Sequence, residues 1–186
     1  MQLNTVEQAI EWVKEHSIPL NNKVYIPISD ALGFVLYEDV HSPIDMPPFR
    51  QSAMDGYALY LHNTTSYAII DEVKAGDGHQ PLLKEGDAVR IFTGAPVPDT
   101  ANAVIMQEKT TSENKKLFVD AAIFSGDNIR PKGEQVKKGD VALKKGTRIT
   151  PAAIGYLTSL GITEIPVFKK PSIAIITTGD ELIQPG

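Results

Sequence analysis

The chain has 186 residues, 42% hydrophobic and 22% charged, with a net charge of −5. That is the composition of one large or two small globular domains and excludes disorder throughout. It contains no cysteine, so disulfide staples, cysteine zinc sites and thiol nucleophiles are ruled out, and catalysis would rest on carboxylates, hydroxyls, basic groups or a borrowed metal.

The acidic balance and the isolated lysine doublets (Lys115-Lys116, Lys137-Lys138, Lys144-Lys145, Lys169-Lys170) argue against a nucleic-acid partner, which would select a basic stripe. His16, His41, His62 and His79 form no i,i+4 pair, so no local histidine metal site is expected. No apolar run approaches the ~20 residues needed to cross a bilayer. The start, MQLNTVEQAIEW, lacks the basic and apolar regions of a signal peptide. The expectation is a cytoplasmic protein with no membrane partner.

Residues 5–16 read as an amphipathic helix, with Val6, Ile10 and Val13 on one face and Glu7, Glu11 and Lys14 on the other. A strand is expected at 23–27, then a helical stretch over 30–35 with Ser29 as its cap. Pro43, Pro47 and Pro48 remove backbone donors from 41–49, which therefore reads as a linker. Short β-like runs follow at 67–73, 88–92, 103–107, 116–123 and 141–143, a spacing that suggests a small barrel or sandwich. The Gly-Asp pairs at Gly76, Gly86, Gly126 and Gly139 read as structural turns. Thr150-Pro151 opens a helix with Ile154, Leu157 and Leu160 on its apolar face and Gly161 beyond its end. A strand at 163–168 comes next. The β-branched run 172–176 reads as a buried parallel strand ending in a polar loop, where open α/β sheets bind ligands. One such strand alone suggests the N-terminal part of a longer protein.

Several segments carry chemistry, each with an ordinary structural reading beside it. Asp55 adjoins Gly56 in a segment that can turn tightly and present a carboxylate. Thr93 and Gly94 follow a strand and offer O–H and N–H donors to an oxyanion, or else form a rigid corner stiffened by Pro96 and Pro98. Arg130 and Lys132 suit an anion, or else form a solvated loop. Asp180 and Glu181, on a strand-end loop, suit a divalent cation or an activated water, while Asp180 also suits a helix N-terminus.

Taken in order, PPFRQSAMDGYA, RIFTGAPVP, ANAVIMQE, GDNIRPKGE, TPAAIGYLTSLGI and IAIITTGDELIQPG closely resemble the molybdopterin molybdotransferase family, which includes bacterial MoeA and the gephyrin E-domain. The resemblance implies the last step of molybdenum cofactor synthesis, in which adenylylated molybdopterin is cleaved, AMP leaves and molybdate is inserted. It further implies an α+β multi-domain fold: a discontinuous elongated N-terminal domain (1–42 and 140–170), an inserted all-β, barrel-like domain (43–139), and from 171 to 186 the first strand of an α/β molybdopterin-binding domain. By motif position, Asp55 and Glu181 correspond to catalytic groups that handle Mg2+ or water, and Thr93, Gly94, Arg130 and Asp180 to substrate- or anion-binding groups. A homodimer with a site shared between subunits is implied, with a molybdopterin adenylyltransferase as a further partner; this chain alone is expected to be inactive. Two motifs depart from the family pattern. Gly133-Glu134-Gln135 stands where many relatives read GED, so the second carboxylate's role is not carried over to Gln135, and Arg50-Gln51 lies where relatives often read FDNS. The alternatives are a gephyrin-like scaffolding module without catalysis, and a small-anion or sugar-binding β module, for which no aromatic platform is evident.

Overall fold

A computed structural model describes residues 5–18, 20–176, 178, 179, 181 and 183. The helices are α1 (Val6–His16) and α2 (Pro151–Ser159). In chain order the strands are β1 (Lys23–Pro27), β2 (Val40–His41), β3 (Gln51–Ser52), β4 (Gly56–Leu59), β5 (Ser66–Val73) and β6 (Asp87–Ile91). They continue with β7 (Ala103–Met106), β8 (Thr110–Glu113), β9 (Lys116–Val119), β10 (Ile129–Arg130), β11 (Val141–Leu143) and β12 (Glu164–Phe168). This is a mixed α+β protein, mostly strands. It divides into two units, residues 1–40 with 143–186, and residues 41–142. β2 and β11 pair where the chain passes from one unit to the other and back. Among the described residues no helix is long and apolar enough to cross a membrane.

In the first unit β1 pairs antiparallel with β12, from Lys23↔Phe168 to Pro27↔Glu164. Leu36, Ile149, Leu157, Leu160, Ile165 and Val167 are its largest fully buried side chains among the described residues. Helix α2 starts as its sequence dictates: the Thr150 hydroxyl accepts from the Ala153 N–H at 3.2 Å, and Pro151 fills a position whose N–H has no helical partner. Its end is a Schellman turn. Gly161, at φ +79°, donates to Thr158 O at 2.9 Å and Ile162 donates to Leu157 O at 3.0 Å. Helix α1 is likewise capped, by Thr5 accepting from Gln8 at 3.2 Å, but none of its residues is buried.

Two expected elements in this unit do not form. Over 30–35 there is only the end of a 3-10 turn, Ile28–Asp30. The Ser29 hydroxyl donates to the Asp30 carboxylate instead of capping a backbone N–H. Gly33, at φ +77°, then redirects the chain so that Gly33 donates to Ile149 O and Leu36 to Thr147 O. Pairing with a segment more than a hundred residues away overrides local helix propensity. The expected strand at 172–176 is also absent: residues 171–176 have no regular structure, and Ile173, Ile175 and Ile176 are at least 80% exposed. β-branched composition favours a strand, but a strand exists only when a ladder partner takes its N–H and C=O groups.

The second unit is built on a six-stranded mixed sheet in the order β7-β4-β6-β5-β9-β8. β5 and β6 run parallel, joined by the crossover of residues 74–86; a parallel pair requires a connection of about that length. Both faces are covered. Ala58, Val89 and Val104 point into one cluster with Val73, Leu83, Ile91 and Val97, whereas their neighbours Leu59, Ala88 and Ile105 point into another with Tyr67 and Leu117. Strands buried on both faces read as continuous apolar runs, which is why 88–92 and 103–107 are legible in the sequence. The barrel-like expectation is met only as an all-strand unit. Among the described residues no pairing joins β7 to β8, because the outer edge of β7 is occupied by the 127–128 loop: Val104 donates to Asp127 O at 2.9 Å and Asn128 Nδ2 to Val104 O at 2.7 Å.

Nor are residues 41–49 a linker. Ser42 donates to Asp140 O, Met46 to Val136 O, Gln135 to Met46 O and Gly133 to Pro47 O. Asp45 accepts from the Lys138 N–H at 2.9 Å and pairs with Lys132 at 3.3 Å. The prolines disfavour helix but leave the carbonyls free to bind a neighbouring segment. The Gly-Asp turns are structural, as expected. At Asp77, Asp87 and Asp127 the carboxylate accepts the N–H three residues earlier, after a glycine at φ +84° to +92°.

Removing the Thr150 cap should lower stability without altering the fold. Thr150→Ala is expected to cost about 1 kcal/mol, read as a shift in denaturant midpoint at constant m-value.

Candidate functional site

Three segments of the second unit meet around Asp55. The first is the turn that precedes β4, the second is the loop after β6, and the third is β10 with residues leading into it. β3 stitches them together. It pairs with β10 through Ile129↔Ser52 and Arg130↔Gln51. On the loop side, Ser52 donates to Ala95 O at 3.0 Å and Ser52 O accepts from Gly94 at 2.9 Å. Gln51 Nε2 donates to Gly94 O at 3.1 Å, and Ala53 donates to Asn128 O at 3.0 Å.

Gly56 does not make the turn: it is the first residue of β4, lying between Ile91 of β6 and Met106 of β7. A Cβ there would stand 1.8 Å from the Ile105 carbonyl oxygen. The glycine is required by the close approach of β7, which sequence reading took for turn chemistry. The turn itself is made by Ser52, whose hydroxyl donates to Met54 O at 2.7 Å.

Asp55 is exposed, yet one of its oxygens is firmly held. Oδ1 accepts from the Thr93 N–H at 2.7 Å and from the Thr93 hydroxyl at 2.8 Å. These two donors, and the nearby Arg90 charge, hold the carboxyl below the usual carboxylate range. Oδ2 has no protein partner among the described residues.

This geometry corrects the expectation for the TGAP loop. Both Thr93 donors are taken by Asp55, and the Gly94 N–H is taken by Ser52 O, so neither residue offers a free donor to an anion. The corner reading and the functional reading merge: Thr93 is the group that orients Asp55. Arg130, opposite Gln51 in the β3–β10 pair, is exposed, and its guanidinium has no hydrogen-bond or charged partner among the described residues. Lys132 is committed to Asp45. Glu134 and Gln135 are exposed. Glu181 falls in the other unit and has no hydrogen-bond or charged partner among the described residues, and Asp180 lies outside them. Among the described residues no three carboxylates or histidines gather into a ready-made cation site.

Arg50, Gln51 and Arg90 carry no local signal of a role at this corner, and Gln107, which reads as a strand exit in the sequence, accepts from Arg90 Nη2 at 2.6 Å. Arg50 Nη2 donates to Pro98 O at 2.6 Å and Ala101 O at 2.9 Å, so the positions that depart from the family pattern hold the TGAP loop in place. No local signal marks such residues, because their carbonyl acceptors lie 34 to 51 positions away.

A profile of the MoeA N-terminal region (domain I and II) matches residues 4–161. The chain belongs to the MoeA family. Relatives named molybdopterin molybdenumtransferase include one from Staphylococcus epidermidis, 32% identical over 97% of this chain and 45% of its own length. Another, from Haemophilus influenzae, is 38% identical over 87% of this chain and 41% of its own length. The crystal structure of the molybdopterin biosynthesis moeA protein from Pyrococcus horikoshii OT3 superposes with a TM-score of 0.82 at 35% identity, covering 91% of this chain and 47% of that one. The chain thus spans about half the length of the MoeA relatives it matches.

The Asp55–Thr93 contact makes a pH prediction. A carboxylate whose folded pKa is depressed contributes stability that is fully present above its unfolded value, 3.8, and is lost as pH falls through the lower folded value. Asp55→Asn should therefore flatten the acid limb of the stability profile below about pH 4, measured as denaturant midpoint against pH. An unchanged acid limb would show that the contact does not form in solution.

Proposed function

We propose that the protein to which this chain belongs inserts molybdate into adenylylated molybdopterin with release of AMP, as a cytoplasmic enzyme of molybdenum cofactor synthesis. The observation that carries the reading is an exposed carboxylate, Asp55, held in a fixed direction by both Thr93 donors, in a chain of the MoeA family. The relatives' enzyme name gives no support to a scaffolding module without catalysis.

In this reading Arg130 meets the anion, molybdate or the substrate's phosphate, in the ground state. Thr93 keeps Asp55 ionised and fixes its direction, leaving Oδ2 as the working oxygen. One free carboxylate oxygen fits Mg2+, which binds through one or two carboxylates and takes its remaining ligands from water and phosphates. When bound, the ion would neutralise charge on the phosphate oxygens and polarise a water. Glu181 is the second carboxylate in this scheme. It would come from the other subunit of a homodimer, so that one subunit's Asp55, Thr93 and Arg130 face the partner's strand-end loop. A molybdopterin adenylyltransferase would supply the substrate.

Because the chain spans about half of its relatives, it is expected to release no AMP from adenylylated molybdopterin by itself; turnover by the 186-residue chain would overturn that. In the full-length enzyme Asp55→Asn should lower kcat by about 10²-fold or more. Arg130→Ala should mainly raise the molybdate or substrate concentration required. Near-normal turnover of folded Asp55→Asn would return Asp55 to a purely structural turn.

The shared site is tested by mixing full-length Asp55→Asn with full-length Glu181→Gln. If subunits share sites, each heterodimer has one intact site, and about half of wild-type activity per heterodimer should return. A mixture that stays inactive after exchange has been confirmed by mass would mean that each subunit builds its own site.

A further inference from the structure

Arg90 is assigned no contact with substrate, yet it touches both arms of the Asp55–Thr93 corner. It lies on β6, three residues before Thr93, with its guanidinium between the Tyr57 and Phe92 rings, Cζ standing 5.1 and 4.8 Å from their centroids. Nη1 donates to Gly56 O at 2.9 Å and Nη2 to Gln107 Oε1 at 2.6 Å. Gln107 in turn donates its backbone N–H to Asp55 O at 3.1 Å. The carbonyls of residues 55 and 56 are thus both held, one directly and one through Gln107.

The need for such a clamp follows from Gly56. The approach of Ile105 O admits no side chain there, and glycine is the residue with the greatest backbone freedom. Asp55 therefore sits next to a flexible joint at the start of a strand. The ladders of β4 with β6 and β7 begin only at Gly56 and do not include Asp55. A planar guanidinium can stack on two rings while donating in its plane to two oxygens; an ammonium cannot match that geometry.

We propose that Arg90 is the positioning residue of the Asp55–Thr93 pair, fixing the backbone on both sides of the Asp55–Gly56 joint so that Oδ1 receives both Thr93 donors. The clamp stands on geometry alone, while its bearing on catalysis rests on the transferase reading above.

The test measures amide hydrogen exchange by NMR in the 186-residue chain. In Arg90→Met, which keeps an apolar stem between the rings, Thr93 exchange should rise about tenfold while the core amides of Val89 and Val104 stay within about twofold of wild type. Unchanged Thr93 exchange overturns the proposal, and so does an equal rise at all three amides, which would be general destabilisation. Gln107→Ala alters only an exposed side chain and should also raise Thr93 exchange; if Arg90→Met does not fold, no rise in Gln107→Ala overturns the proposal. In the full-length enzyme Arg90→Lys should lower kcat with little change in KM for molybdate. A raised KM with normal Thr93 exchange would make Arg90 a substrate contact and overturn the positioning role. Failure of the transferase reading is a separate result: wild-type enzyme would release no AMP, whatever the exchange data show.

Discussion

β7 approaches β4 so closely at Gly56 that a Cβ there would fall 1.8 Å from the Ile105 carbonyl oxygen. The candidate site depends on that approach. It sets the register of β4 against both neighbours, Gly56↔Ile91 and Gly56↔Met106. Asp55 is thereby placed at the mouth of the sheet, within reach of the loop that β6 feeds. The same constraint imposes a glycine beside the carboxylate, and the surrounding polar contacts offset the freedom this brings. Side-chain donors from Arg50, Gln51 and Arg90 each end on a backbone carbonyl of a different segment.

Such bonds to main-chain oxygens suit a corner assembled from short loops. A side chain that ends on a carbonyl fixes backbone position without needing a matched partner side chain, and the cation strengthens the bond. Asp45, Asp77, Asp87 and Asp127 play the converse part, each accepting a backbone N–H near a tight turn. The acidic composition that argues against nucleic acid is thus partly used up inside turns. Among the described residues the Arg130 guanidinium and Asp55 Oδ2 have no protein partner, the one able to meet an anion and the other a cation.

The first unit shows a different balance. Its buried side chains come from β12, α2 and residues near them, while the apolar face of α1 is exposed, Val6 to 71% and Val13 to 57%. A helix of 11 residues is marginal by itself, so its amphipathic pattern has a purpose only against an apolar surface.

What the sequence determined by itself was whatever local chemistry enforces. The cap and end of α2, the apolar strands buried on two faces, the Gly-Asp turns and the family motifs are all legible within short stretches of contiguous sequence. The β8–β9 hairpin was legible too and went unread: Asn114 and Lys115, at φ +50° and +63°, form its two-residue turn. What only the tertiary structure decided involves partners far apart in the chain. The 30–35 segment became paired backbone because Ile149 and Thr147 offer carbonyls. The proline stretch became part of a domain because 133–140 lies against it. Residues 172–176 have strand composition but no ladder partner to make them a strand. That the Gly94 N–H is taken by Ser52 O, and both Thr93 donors by Asp55, emerges only when these segments meet. Composition and periodicity state what a residue can donate, accept or bury, whereas which group stands opposite it is fixed only when distant segments fold together.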